Sequence, residues 1–157
     1  MILKGLVDED FLQYKEPSMF LIFPHCTLKC DKEQGKQICQ NCGLLNANIH
    51  AVSNGYVINR YVNNPITKAV VIGGLEPFDD FEQLNLFVSD FRKVSDDIIV
   101  IYTGFYENEI KFYLEKLSEF KNIIIKFGRF IPDQKTHYDE ILGVYLGSDN
   151  QYARKIS

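Results

Sequence analysis

Two hydrophobic patterns alternate along the chain. Short continuous apolar runs occur at Met19 to Phe23, Lys68 to Ile72, Ile98 to Tyr102, Asn122 to Phe127 and Ile141 to Leu146. Runs of this length, rich in valine and isoleucine, predict strands covered on both faces, as in a parallel sheet. Between them the apolar positions recur at helical spacing. Tyr56, Ile58, Tyr61 and Val62 predict a short helix stopped by Asn63-Asn64-Pro65. Phe81, Leu84, Phe87, Val88 and Phe91 predict a helix near 81–94, with Asp79-Asp80 as its cap. Ile110, Tyr113, Leu114, Leu117 and Phe120 form the clearest stripe and predict a helix over 107–121. Residues 6–14 are mixed and acidic, the pattern of a turn or edge element covering the sheet, and Asp31 to Lys36 reads as a polar loop tip.

Strands alternating with helices imply same-handed crossovers and a mainly parallel sheet. Five or six strands are too few for a closed eight-stranded barrel. The expectation is therefore an α/β fold, an open partial (β/α) barrel. At 157 residues, with no repeat, linker or low-complexity segment, the chain reads as a single domain over 1–157.

Charge narrows the classes. A net charge of −4 argues against a nucleic-acid binder, which would carry a basic face. No apolar run approaches the length of a bilayer span. The first residues, Met1-Ile2-Leu3-Lys4-Gly5, carry no apolar signal segment, which predicts reduced thiols and a cytoplasmic protein.

The candidate chemistry is concentrated in one stretch. All four cysteines lie within the seventeen residues from Cys26 to Cys42, on the segment leaving the first central strand. In an α/β sheet that end of the strand is where ligands are held. Disulfides suit secreted chains. Structural zinc takes four thiolates, but its usual modules pair two Cys-x-x-Cys knuckles far apart, and here the pairs are Cys26-x-x-x-Cys30 and Cys39-x-x-Cys42, close together. An iron–sulfur cluster also takes thiolates; held by three, it leaves one iron open to a small molecule. Cys26, Cys30 and one of Cys39 or Cys42 would supply the three.

A second motif, Gly73-Gly74-Leu75-Glu76-Pro77, follows the next strand. The glycines allow close approach of backbone or ligand, and Pro77 stiffens the exit. Alone it is an ordinary strand-to-helix turn. Lys126 and Arg129 follow a strand and suit either a carboxylate ligand or solvated strand ends. Tyr102 suits the cavity wall or the core. His25 abuts Cys26 and reads better as a packing residue than as a ligand, and His50 and His137 carry no motif.

The cysteine segment after the first central strand, together with Gly73-Gly74-Leu75-Glu76-Pro77 after the second, resembles the radical S-adenosylmethionine superfamily. The small size, Tyr102-Thr103-Gly104 and Gly147-Ser148-Asp149-Asn150-Gln151 are similar to the activating proteins of anaerobic ribonucleotide reductases. The resemblance covers nearly the whole chain. It departs where the usual Cys-x-x-x-Cys-x-x-Cys loop is interrupted by an insertion, and where Ile38, not an aromatic residue, precedes Cys39.

The resemblance implies a [4Fe–4S] cluster and S-adenosyl-L-methionine as cofactors, with reductive cleavage to a 5′-deoxyadenosyl radical. It implies Cys26, Cys30 and Cys39 as ligands, Cys39 because it precedes Gln40-Asn41, with Cys42 as the alternative third. Gly73, Gly74, Glu76 and Pro77 become the turn that meets the cofactor, Glu76 by charge at the methionine amino group, and Asn150 and Gln151 meet the adenosine part. No side chain is catalytic beyond cluster and cofactor. The implied partners are a glycyl-radical enzyme like the anaerobic ribonucleotide reductase and an electron donor such as flavodoxin or ferredoxin. Two alternatives stand beside this oxidoreductase: a radical enzyme acting on a small molecule or peptide, and a non-catalytic zinc-binding interaction module. Small size favours the glycyl-radical partner, and the glycine turn favours a cluster over zinc.

Overall fold

The computed structural model describes residues 1–157. The strands are β1 (Ile2–Leu3), β2 (Gly5–Asp10), β3 (Ser18–Phe23), β4 (His50–Ala51), β5 (Ala69–Gly74), β6 (Ile98–Tyr102), β7 (Ile123–Phe127), β8 (His137–Asp139), β9 (Val144–Leu146) and β10 (Tyr152–Lys155). The helices are α1 (Lys29–Gln34), α2 (Asn54–Val62), α3 (Phe81–Arg92) and α4 (Lys111–Leu117). Six strands form one mixed sheet in the order β10-β7-β6-β5-β3-β2. The central four, β3, β5, β6 and β7, are parallel, and β2 and β10 close the two edges antiparallel.

The order β3, β5, β6, β7 advances one strand at a time in one direction. Crossovers share a hand, so such an order puts the connecting helices on one face. The period-two alternation of the strands shows both faces. Met19, Leu21, Val70, Ile72, Ile99, Ile101, Ile123 and Ile125 pack toward Val57 and Tyr61 of α2, Leu84, Phe87 and Phe91 of α3, and Leu117 of α4. The intervening Ala69, Val71, Val100 and Ile124 pack on the other face with Tyr14, Leu142 and Leu146. Both faces are covered, which is why these strands are apolar without interruption.

Several expectations need correction. The helix expected over 107–121 is two elements, a 3₁₀ turn at Glu107–Glu109 and the seven-residue α4. Ile110, with φ −127°, breaks the helical path between them. Asp80 stands at the N-cap position of α3 as expected but makes no side-chain capping bond, and Asp79 Oδ2 accepts instead from the backbone N–H of Thr27 at 2.6 Å. The polar tip at 31–36 is largely helical, in α1. The run Ile141 to Leu146 stays outside the main sheet. Asp139 Oδ1 accepts from the N–H groups of Ile141 and Leu142, Gly143 turns the chain at φ 72°, and β9 returns antiparallel to β8. β10, not expected at all, takes the edge beside β7. No helix is long and apolar enough to cross a membrane.

Candidate functional site

The C-terminal ends of the parallel strands gather the chemistry-bearing segments. The cysteine segment leaves β3 and is tied to the turn after β5 at two points. Glu76 N–H donates to the carbonyl of His25 at 2.7 Å, and Asn41 Nδ2 donates to the carbonyl of Gly74 at 2.7 Å. Leu28, at φ 54°, bends the chain into α1, which carries Cys30. The N–H of Cys42 donates to the carbonyl of Cys39 at 3.3 Å, closing a tight turn.

The glycine turn has steric reasons. A Cβ at Gly73 would stand 3.1 Å from Tyr102 Cβ, and one at Gly74 would stand 2.5 Å from Ile22 Cγ2, at a φ of 85°. A side chain at either position would collide with the neighbouring strand, so the turn takes glycine at both.

Glu76 is buried beneath this turn. Its Oε1 accepts from Thr103 Oγ1 at 2.7 Å and from Phe78 N–H at 3.2 Å, and its Oε2 accepts from Gly104 N–H at 2.8 Å. Burial pushes its carboxyl up to about 7 against these three donors. Lys126, at the end of β7, is only 7% exposed and donates from Nζ to the carbonyl of Gly128 at 2.9 Å. Burial pushes its amine down to about 8, with Glu76 and Cys30 pulling the other way. Lys126 and Arg129 are therefore not solvated strand ends.

These groups share one cavity of about 450 Å³. Cys26, Cys30 and Cys39 line it, with Gly74, Glu76, Thr103, Gly104, Lys126 and Gln151. Cys42 does not, nor do Gly73, Pro77 and Asn150. Pro77 begins a 3₁₀ turn leading to α3. Asn150 donates from Nδ2 to the carbonyl of Arg129 at 2.7 Å and to Tyr106 Oη at 3.0 Å, so it ties down the loop beside the cavity. Gln151 Oε1 accepts from Gly147 N–H at 2.9 Å, and its Nε2 donates to the carbonyl of Gly128 at 3.2 Å. Tyr102 lines the wall and donates its hydroxyl to the carbonyl of Gln13 at 2.6 Å. No histidine lines the cavity. Leu12 and Tyr145, 76% and 74% exposed, also border it.

Arg129 anchors the cysteine segment from outside the cavity. Its Nη2 donates to Glu109 Oε1 at 2.6 Å, and its Nε lies 3.1 Å from Glu33 Oε2 without the alignment of a hydrogen bond. Lys29 pairs with the same Glu109. Burial opposes the charge of Glu109, but these two cations outweigh it and hold the carboxyl down at about 2. Glu33 and Lys29 both belong to α1, so this network fastens α1 to the loop after β6.

Burial pushes the Cys26 thiol up to about 12 and raises those of Cys30 and Cys39. No three His, Cys, Asp or Glu side chains stand close enough to grip one metal ion. The three thiols share a cavity wall without meeting at a point. Lys126 is a functional candidate that sequence pattern undervalued: it is the one cation in an isoleucine run, a position that repays attention because a buried charge needs a partner. Thr103 was visible only as part of Tyr102-Thr103-Gly104. No family model, no curated protein and no solved structure matches the chain.

Proposed function

We propose that this chain is a radical S-adenosylmethionine iron–sulfur protein that installs a glycyl radical on a partner like the anaerobic ribonucleotide reductase. The observation that carries the reading is the convergence of three thiols, the Gly74–Glu76 turn and a buried lysine in one cavity at the strand ends. Cys26, Cys30 and Cys39 would hold a [4Fe–4S] cluster. All three line the same cavity, and in a cluster each would serve its own iron. The thiols are neutral when free, so loading the site releases their protons.

When bound, cluster and cofactor supply a one-electron reductive cleavage of the sulfonium carbon–sulfur bond. The protein's part is binding and exclusion of water. Glu76 would hold the ammonium of the cofactor's methionine part, where its charge is better used the less water reaches it. Lys126 would hold the carboxylate, and Gln151 the adenosine side. A cavity of about 450 Å³ is the size that one small-molecule ligand fills. With the cofactor in place little room is left, so the substrate reaches in from outside. A flexible glycine loop of a large partner fits that constraint. The exposed Leu12 and Tyr145 offer it an apolar border.

The same reading extends to the fold. The one-directional strand order with helices on a single face suits an open partial (β/α) barrel. Reduced thiols suit the cytoplasm, and flavodoxin or ferredoxin suits the electron supply.

The test is anaerobic reconstitution with iron and sulfide. About four irons per chain and dithionite-dependent cleavage of S-adenosylmethionine are expected. A doublet paramagnetic resonance signal on a reductase partner, mixed in without oxygen, identifies the acceptor as a backbone glycine. Cofactor cleavage with no such signal on any glycyl-radical partner points to a small-molecule or peptide substrate. Colourless protein that keeps stoichiometric zinc overturns the proposal in favour of a structural zinc module.

A further inference from the structure

Eight residues separate Cys30 from Cys39. A flexible loop of that length leaves its two ends poorly correlated, because fixing them together costs chain entropy. The chain solves this locally. α1 uses the first residues of the insertion, Gly35 ends the helix at φ 63°, and the chain reverses. On its return, the N–H groups of Ile38 and Cys39 both donate to Oδ1 of Asp31, each at 2.9 Å. No backbone–backbone hydrogen bond holds residues 36 to 38.

We propose that Asp31 is the positioning residue for the third thiol. It follows Cys30 directly, so one carboxylate oxygen fastens the backbone of Cys39 to the residue next to the second thiol. Two backbone donors on one carboxylate oxygen make a strong closure. The clamp acts on Cys39, which lines the cavity, and not on Cys42, which does not. It also explains how a chain with an insertion between its second and third thiols still brings three of them to one wall. That these thiols are cluster ligands rests on the function proposed above. That Asp31 holds Cys39 does not.

The experiment separates the two. In metal-free protein, the alkylation rate of each cysteine by iodoacetamide is followed by peptide mass spectrometry. Asp31→Ala is expected to speed Cys39 at least about tenfold relative to Cys26, the factor carried by one charge-assisted hydrogen bond. Asp31→Asn keeps an acceptor oxygen without the charge and is expected to fall between the parent and Asp31→Ala. After anaerobic reconstitution, Asp31→Ala should hold less than half the parent's iron and Asp31→Asn most of it. The proposal is overturned if Cys39 reacts no faster in Asp31→Ala, if all four cysteines accelerate together, or if Asp31→Asn behaves as Asp31→Ala. A parent that takes up no iron, but shows the selective change at Cys39, supports the clamp and sinks the cluster.

Discussion

Thr103 Oγ1 donates to Glu76 Oε1 at 2.7 Å, joining the turn after β5 to the turn after β6 beneath the cavity. The bond lies between two buried side chains 27 positions apart. Thr103→Val keeps the shape and removes this donor together with the acceptor of the Phe105 N–H, which bonds Thr103 Oγ1 at 3.0 Å. A buried carboxylate short of one donor costs about 1–3 kcal/mol. Urea denaturation of the variant should show a loss of that order, with the slope of the transition unchanged.

Glu76→Gln separates charge from shape. Iron content should hold, while binding of S-adenosylmethionine, read by equilibrium dialysis, weakens at least about tenfold through loss of a charge-assisted bond. Equal binding in the variant would reduce Glu76 to a part of the turn.

The same residue predicts a pH dependence of folding. Folded, Glu76 keeps its proton up to about pH 7; unfolded, it releases it near the ordinary 4.5. The folded value is the higher, so its contribution is fully present below pH 4.5 and is lost as pH rises through 7. Lys126 runs the other way. Its folded value of about 8 lies below the ordinary 10.5, so its burial costs stability at pH values below 8, and the cost disappears above 10.5. Metal-free protein should therefore be least stable near pH 7–8. The fall between pH 4.5 and 7 should reach about 3 kcal/mol at most and vanish in Glu76→Gln, as measured by urea denaturation at a series of pH values.

Cys39→Ala should lose the cluster and Cys42→Ala should keep it, because only the first of these thiols lines the cavity. Iron and sulfide analysis after reconstitution decides it. The reverse result would move the third ligand to Cys42.

Two glycines should respond in opposite directions to alanine. Gly74→Ala places a methyl group 2.5 Å from Ile22 Cγ2 at a φ of 85° and should cost about 2–4 kcal/mol. Gly55→Ala, in α2 with open space around it, should gain about 0.5–1 kcal/mol. Thermal unfolding of both variants checks the contrast.

How much of this was legible depended on how local each cause is. Val70-Val71-Ile72 announces a strand buried on both faces because every one of its residues must be apolar. α2 and α3 follow from apolar spacing, and the cysteine concentration and the glycine turn stand out by composition. The stripe from Ile110 to Phe120 misled on helix length. Its residues do pack on the core, but the φ of Ile110 is set by the turn before it and by no feature of its own side chain. β10 was invisible because Tyr152-Ala153-Arg154-Lys155 is a short edge strand, and only the pairing with β7 makes it a strand.

The sequence alone determined the α/β class, the order of central strands and helices, and which segments carry chemistry, because burial and helical periodicity are written residue by residue. Tertiary structure decided what meets what. It brought Cys26, Cys30 and Cys39 to one wall and left Cys42 off it. It turned Asp79 from an expected helix cap into an acceptor for Thr27, and put Lys126 beside the cavity instead of in solvent. It also placed Asp31 across the insertion from Cys39. Each of these is a contact between segments distant along the chain or reversed by a turn. Such contacts depend on the path of the backbone, which no single residue type encodes.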